Sequence, residues 1–316
     1  MTDRQIIALA GGVGGAKLAL GLARTLPADQ LTVAVNTADD FEHWGLYICP
    51  DLDTVTYTLA GIANPETGWG LKDETWNVLD AMAKVGGETW FRLGDKDIAK
   101  HLERTRRLKA GETLSSIMAD LARRLGTETA IVPMSDHPVR TMVKTDSGEL
   151  AFQDWFVRLR CAPVVRSVRF AGIEQAKPHP VLAHLGAARG VIVCPSNPFV
   201  SVAPILDLPG VRSSLKAARC PRVAVTPIVG GQAIKGPAAK MLAELGHDVS
   251  ALGVARFYQG LIDGFVLDSQ DAGLMPQIEA LGMRVRVADT MMRDDSDKKR
   301  LAATTLEFMD ELGVHS

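Results

Sequence analysis

Residues 36–57, NTADDFEHWGLYICPDLDTVTY, hold four carboxylates in two short pairs: Asp39 with Asp40, and Asp51 with Asp53 after an intervening stretch 41–50. Trp44, Tyr47 and Tyr57 lie among them. Hard divalent cations such as Mg²⁺ take one or two carboxylates and complete their shell with substrate phosphates and water, so this pattern suits a metal-assisted phosphate site. Acids are also common at turns and helix starts, and Asp53 has the chemistry of an N-cap for a helix from Thr54 onward. Both readings stand on these residues alone.

A second feature precedes it. Residues 11–24, GGVGGAKLALGLAR, place Gly11, Gly12, Gly14 and Gly15 ahead of Lys17 and a helical apolar face. Glycines between a strand and a helix let a phosphate approach the backbone, where the helix start offers unpaired N–H groups. The loop is of neither standard kind: Ala16 stands where a Walker loop has glycine, and Lys17 replaces the third glycine of the dinucleotide fingerprint. A third polar loop, 195–206 (PSNPFVSVAPIL), supplies Ser196, Asn197 and Ser201 after an apolar run, stiffened by Pro198 and Pro204. In 88–97 (ETWFRLGDKD), Arg92 stands beside Trp90 and Phe91, which together with Trp76 could wall a flat aromatic ligand. Ser135, Asp136 and His137 are merely sequence neighbours, and nucleophilic serine chemistry is not expected of them.

The elements that must position these groups follow from periodicity. Buried strands are expected at 5–10, 31–35, 129–133, 190–194, 222–226, 265–268 and 284–288, with a terminal helix at 298–312. Helical spacing recurs at 73–85, 96–109 and 114–125 without a strand between, and 146–148 reads as the turn of a hairpin joining 141–145 to 149–155. Alternating strands and helices predict an α/β fold, a doubly wound Rossmann-like parallel sheet with a helical insertion covering the site. A single domain is expected over 1–316, its core from 1–60 and 129–316 and its insertion from about 61–128. Ligands of such sheets bind at the carboxyl ends of the strands, which would bring the glycine and acidic loops into one site.

Composition narrows the class. The formal net charge of −2 offers no basic stripe for nucleic acid. No apolar run nears the roughly 18 residues that span a bilayer, and the N-terminal MTDRQIIALAGG is too short a patch for a signal peptide. Cys49, Cys161, Cys194 and Cys220 show no C-x-x-C spacing, and the histidines no zinc pattern, so reduced thiols and a cytoplasmic location are expected.

The sequence resembles the 2-phospho-L-lactate transferase (CofD) family. The matching segments are GGVGGAKL at 11–18, NTADDFEHWGLYICPDLDTVTYTLAG at 36–61, RLGDKDIAKHLERT at 92–105, VPMSD at 132–136, FQDWFVR at 152–158, the PSNP loop, and TPIVGGQAIKGPAAKM at 226–241. Ala38 replaces the glycine that the family usually carries in NTGDD. The resemblance implies transfer of a phospholactyl-type group from a guanosine diphosphate conjugate to the ribityl hydroxyl of the deazaflavin Fo, releasing GMP, in coenzyme F-420 biosynthesis. It implies Mg²⁺, a homodimer, and a guanosine diphosphate portion held by the glycine loop and Ser196, Asn197 and Ser201. Asp51 and Asp53 are then expected to hold the metal or orient the Fo hydroxyl, with Asp39 and Asp40 supporting them or serving as alternative metal ligands. Arg92 would steady a phosphate or the deazaflavin, and Lys17 the leaving GMP. Asp53→Asn is expected to abolish turnover with little loss of fold. The donor's three-carbon group, phospholactyl, enolpyruvyl or phosphoglyceryl, is left open by the residues.

Two other readings are less well matched. A related non-catalytic nucleotide-sugar-binding regulator would continue the acidic loop with DDGGSSG, where this chain has FEHWGL followed by PDLDT. An NAD-dependent oxidoreductase would need the glycine fingerprint and an acid at the end of the second strand, where Asn36 stands.

Overall fold

The computed structural model describes residues 5–314; part of the N-terminal patch, residues 1–4, lies outside them. The chain opens with strand β1 (Ile6–Ala10), helix α1 (Gly12–Ala23) and strand β2 (Leu31–Val35). Helices α2 (Pro50–Leu59), α3 (Asp95–Lys109) and α4 (Leu114–Arg124) follow before β3 (Ala130–Pro133). The rest of the sheet is β4 (Gly190–Val193), β5 (Arg222–Val225), β6 (Gly264–Asp268) and β7 (Arg284–Ala288), and α5 (Asp295–Gly313) closes the fold. These seven strands form one sheet in the order β7-β6-β5-β4-β1-β2-β3, and every pairing is parallel. The order reverses between β1 and β4, so the loops after those two strands diverge and leave a crevice between them.

β1 explains why the sheet is buried on both faces. Ile6, Ala8 and Ala10 enter a core with Leu18 and Leu22 of α1, Leu52 of α2 and Leu306 of α5, while Ile7 and Leu9 enter the opposite core with Trp155, Phe199 and Tyr258. A two-residue side-chain period with apolar groups on both sides requires helices or other layers over both faces.

Several details differ from the sequence expectation. Between 36 and 57 the chain makes a short hairpin, Phe41–His43 against Leu46–Ile48, whose turn residues Trp44 and Gly45 have φ of 53° and 72°. Such a two-residue turn with positive φ fits strand twist, and Trp44 accepts the conformation because its ring stacks on His43 and its Nε1 donates to Glu88 O at 3.0 Å. Asp53 is not an N-cap: α2 begins at Pro50, whose missing N–H costs nothing there, and Asp53 sits inside its first turn. The hairpin at 140–151 gains a third strand, Val165–Ala171, hidden in the sequence because most of its side chains face away from the core. Residues 152–158 continue as helix and not as strand. Finally, α4 packs Leu114, Ile117, Met118 and Leu121 into the sheet core, so only the stretch from about 61 to 109 stands over the strand ends.

Among the described residues, no helix is long and apolar enough to cross a membrane. All four cysteines are free.

Candidate active site

The crevice at the strand ends opens into one cavity of about 760 Å³. Its floor is the glycine loop. Gly12 has φ +60°, a backbone conformation favouring glycine, and its N–H donates to Asp51 Oδ1 at 2.8 Å. Close approach fixes the neighbours: a Cβ at Gly14 would lie 2.3 Å from Pro195 O, and one at Gly15 2.4 Å from Ser196 Oγ. Gly11 is pressed the same way between Asp51 and Ser201. The glycines therefore let the loops after β1 and β4 pack together. Ser196 bonds them directly, its Oγ accepting from Gly11 N at 3.0 Å and donating to Gly11 O at 2.9 Å. Asn197 caps the next helical turn by accepting from Phe199 N at 2.9 Å. The first-turn amides of Val13 and Gly14 have no partner within α1, and with no acid in that turn they leave an anion site facing the cavity. Lys17, one turn on, donates to Met292 O at 2.8 Å; burial and the charges of Lys235 and Lys298 lower its pKa.

The four acidic residues separate into distinct environments. Asp39 and Asp51 line the cavity, and Asn36 Nδ2 donates to Asp51 Oδ2 at 3.0 Å. Burial raises both carboxyls, Asp51 to about 6 and Asp39 well above the usual range, the latter also through the charge of Asp51. Among the described residues neither pairs with a cationic side chain, and Asp39 Oδ1 is buried without a hydrogen-bond partner. Asp40 is buried behind this wall and does not line the cavity. Both its oxygens lack partners and burial raises it to about 8, partly offset by the Cys49 thiol and the charges of Arg140 and Arg104. Asp53 is the opposite case. Arg104 grips it in a fork at 2.7 and 3.0 Å, Lys100 adds a contact, and His101 Nδ1 is 3.7 Å away. Burial would raise this carboxyl, but Arg104 and Lys100 outweigh it and hold Asp53 well below its ordinary range.

The wall opposite the glycine loop comes from the insertion. Trp90, Phe91 and Arg92 line it, and the Arg92 guanidinium lies 4.3 Å from the Trp76 ring centre. Apart from Asp40, the residues singled out in the sequence meet at one cavity: Gly11, Gly12, Gly14, Lys17, Asp39, Asp51, Asp53, Arg92, Ser196, Asn197 and Ser201 line it, with Gly15 just beneath. The sequence reading missed Asp97, His101 and Arg104. Their i, i+4, i+7 spacing on α3 was a usable signal, since it places all three on one helix face toward Asp53. Asp53, Asp97 and His101 also bring one ligand atom each within 4.8 Å of one another, a grouping that could hold a metal ion.

Comparison with known proteins gives concordant results. The family model described as 2-phospho-L-lactate transferase CofD matches residues 6–307. A phosphoenolpyruvate transferase of Streptomyces griseus is 42% identical over 98% of this chain and 99% of its own length. A 2-phospho-L-lactate transferase of Methanosarcina barkeri is 38% identical over 97% and 99%. A crystal structure of a UPF0052-family protein from Bacillus halodurans shares the fold, with a TM-score of 0.62 over 97% of this chain and 99% of that one at 12% identity.

Proposed function

The chain belongs to the CofD family of transferases, and from that membership we propose that it moves a three-carbon phospho-acid group from a guanosine diphosphate conjugate to the ribityl hydroxyl of Fo, releasing GMP. The observation that carries this reading is the single cavity in which an anion-binding glycine loop, a pair of cation-free carboxylates and an aromatic wall face one another. The relatives' names put forward phosphoenolpyruvate and 2-phospho-L-lactate as the transferred groups, and phosphoglycerate is the third donor to try.

Attack on a diphosphate is slow because its negative oxygens repel the nucleophile, so oriented donors and positive charge supply most of the acceleration. The amides of Val13 and Gly14 would receive the diphosphate, with Ser201 Oγ as a further donor, while Ser196 is spent on holding the two loops together. Lys17 would neutralise the leaving GMP. Arg92 and the Trp90–Phe91 wall would hold the deazaflavin, and Asp53 would orient its hydroxyl while its cations keep it too acidic to take the proton. Asp39 and Asp51 remain as carboxylates able to do so.

The residues fit Mg²⁺. Two buried carboxylates beside an anion site, raised in pKa and unpaired with any cation, are an unfavourable arrangement that a divalent ion relieves. Asp39 and Asp51 would hold the ion, which supplies charge neutralisation of the diphosphate when bound. Asp53 with Asp97 and His101 fits less well, because Lys100 and Arg104 already neutralise Asp53. Asp40, outside the cavity, would support Asp39 from behind.

The test combines purified protein, Mg²⁺, Fo and each of the three guanosine diphosphate conjugates, with GMP and the new phosphodiester followed by mass spectrometry. Product with any donor supports the reading and names the substrate. No product with all three, together with tight binding of a UDP-sugar, would replace it with the regulator reading.

A further inference from the structure

The groups on α3 that face Asp53 form a run of close polar contacts that reaches the cavity. Arg104 Nη2 lies 2.7 Å from His101 Nδ1. A guanidinium can only donate, so Nδ1 must carry the lone pair and the imidazole proton must sit on Nε2. His101 Nε2 lies 3.2 Å from Asp97 Oδ1, in ion-pair range but without the geometry of a hydrogen bond. The Tyr57 hydroxyl donates to the same Oδ1, and Lys100 Nζ stands 3.7 Å from the centre of the Tyr57 ring. Both side chains are fixed, since His101 and Tyr57 are each 1% exposed.

Tyr57 therefore holds Oδ1 of Asp97, with His101 beside it, while among the described residues no donor reaches the other oxygen, Oδ2. The residue lines the cavity, with a carboxylate oxygen within 4.8 Å of one on Asp53. A carboxylate oxygen facing a cavity loses water when a ligand fills it and then needs a hydrogen from that ligand, since it can only accept. A ligand flat at one end and reactive at the other presents its connecting chain at this point.

We propose that Asp97 is a substrate-binding residue: its Oδ2 accepts a hydrogen bond from the polyol chain of the acceptor, with His101 and Tyr57 as positioning residues that hold the carboxylate in place. This rests on the reading of the acceptor as a deazaflavin carrying a ribityl chain. It adds a specificity element, because an acceptor with the same ring but no hydroxylated chain leaves Oδ2 unmatched.

The experiment measures Kd by fluorescence for Fo, for the same deazaflavin ring lacking the ribityl chain, and for GDP, alongside turnover. For Asp97→Asn the Kd for Fo should rise at least tenfold, with the other two ligands unchanged. Tyr57→Phe, which keeps the packing, should show a smaller rise confined to Fo, and it serves as the second probe if Asp97→Asn does not fold. Unchanged Fo binding in the folded variants overturns the proposal. So does equal weakening of the chainless ring, which marks a structural role, or a shift only in the Mg²⁺ concentration for half-maximal turnover, which marks a metal ligand. Failure of the transferase reading is seen separately, as wild-type protein without turnover on any donor.

Discussion

Asp53 and Asp39 show how one residue type serves opposite ends. Asp53 balances two buried cations, and removing it strands Arg104 and Lys100 in the interior. Asp53→Asn should lower stability by about 3–5 kcal/mol as well as stopping turnover, because an uncompensated buried charge is expensive; urea unfolding reads the first effect. This departs from the sequence expectation of an intact fold. Asp39→Asn should do the reverse, leaving the metal-free protein as stable or more so while removing Mg²⁺-dependent activity. The same contrast sets the pH response. Asp40 and Asp51, at about 8 and about 6 in the folded protein, hold protons that an unfolded aspartate has lost above roughly pH 4. Stability should therefore fall as pH rises from about 5 to 8.5, and Mg²⁺ should flatten the fall by favouring charged Asp39 and Asp51. Asp53, with its depressed pKa, contributes fully across that range and loses its contribution only below about pH 4. Urea melts across pH with Mg²⁺ or with chelator test the slope; a stability that rises across this window would contradict it.

At the scale of elements, the site depends on how closely two loops approach. Gly14→Ala would place a methyl 2.3 Å from the Pro195 carbonyl, a rigid backbone atom that cannot turn aside. Overpacking of this kind costs about 1–3 kcal/mol, and because it pushes the glycine and serine loops apart, GDP affinity should fall at least tenfold by calorimetry. Across the mouth, Lys235 Nζ donates to Thr67 O at 2.6 Å, tying the 228–237 segment to the insertion, and both Thr67 and Lys235 line the cavity. Lys235→Ala should raise KM for the donor several-fold with little change in melting temperature, since Lys235 is exposed and packs no core.

For the molecule as a whole, the site is a seam. Its parts come from the loops after β1, β2 and β4, from the insertion, from residues 152–157, and from the segments after β5 and β7. A ligand that bridges them stabilises the folded state against all the segments separating. GDP with Mg²⁺ at about a hundred times Kd should add about 2.7 kcal/mol to unfolding, read as a rise in thermal midpoint that Asp39→Asn diminishes. The two cores on either side of the sheet meet only through strands such as β1, whose alternate residues serve both.

Much of this was legible in the chain. Short apolar or alternating runs located the strands, and β2 and β7 fall at the expected 31–35 and 284–288. Strand–helix alternation gave the parallel sheet, and the glycine, acidic and serine loops carried enough local chemistry to be singled out and assigned to one edge. What the chain concealed depends on contacts across long separations. Nothing local distinguishes Asp53 from Asp51; only the arrival of α3, with Arg104 51 residues away, turns Asp53 into a counterion, while Asp51 accepts from Gly12 and Asn36. Likewise Asp97 reads as an ordinary helix-start acid until Tyr57, 40 residues earlier, clamps one of its oxygens. Periodicity is a property of neighbouring residues and so survives in sequence, whereas the ionisation and partners of a buried carboxylate are set by whatever charge tertiary packing brings beside it.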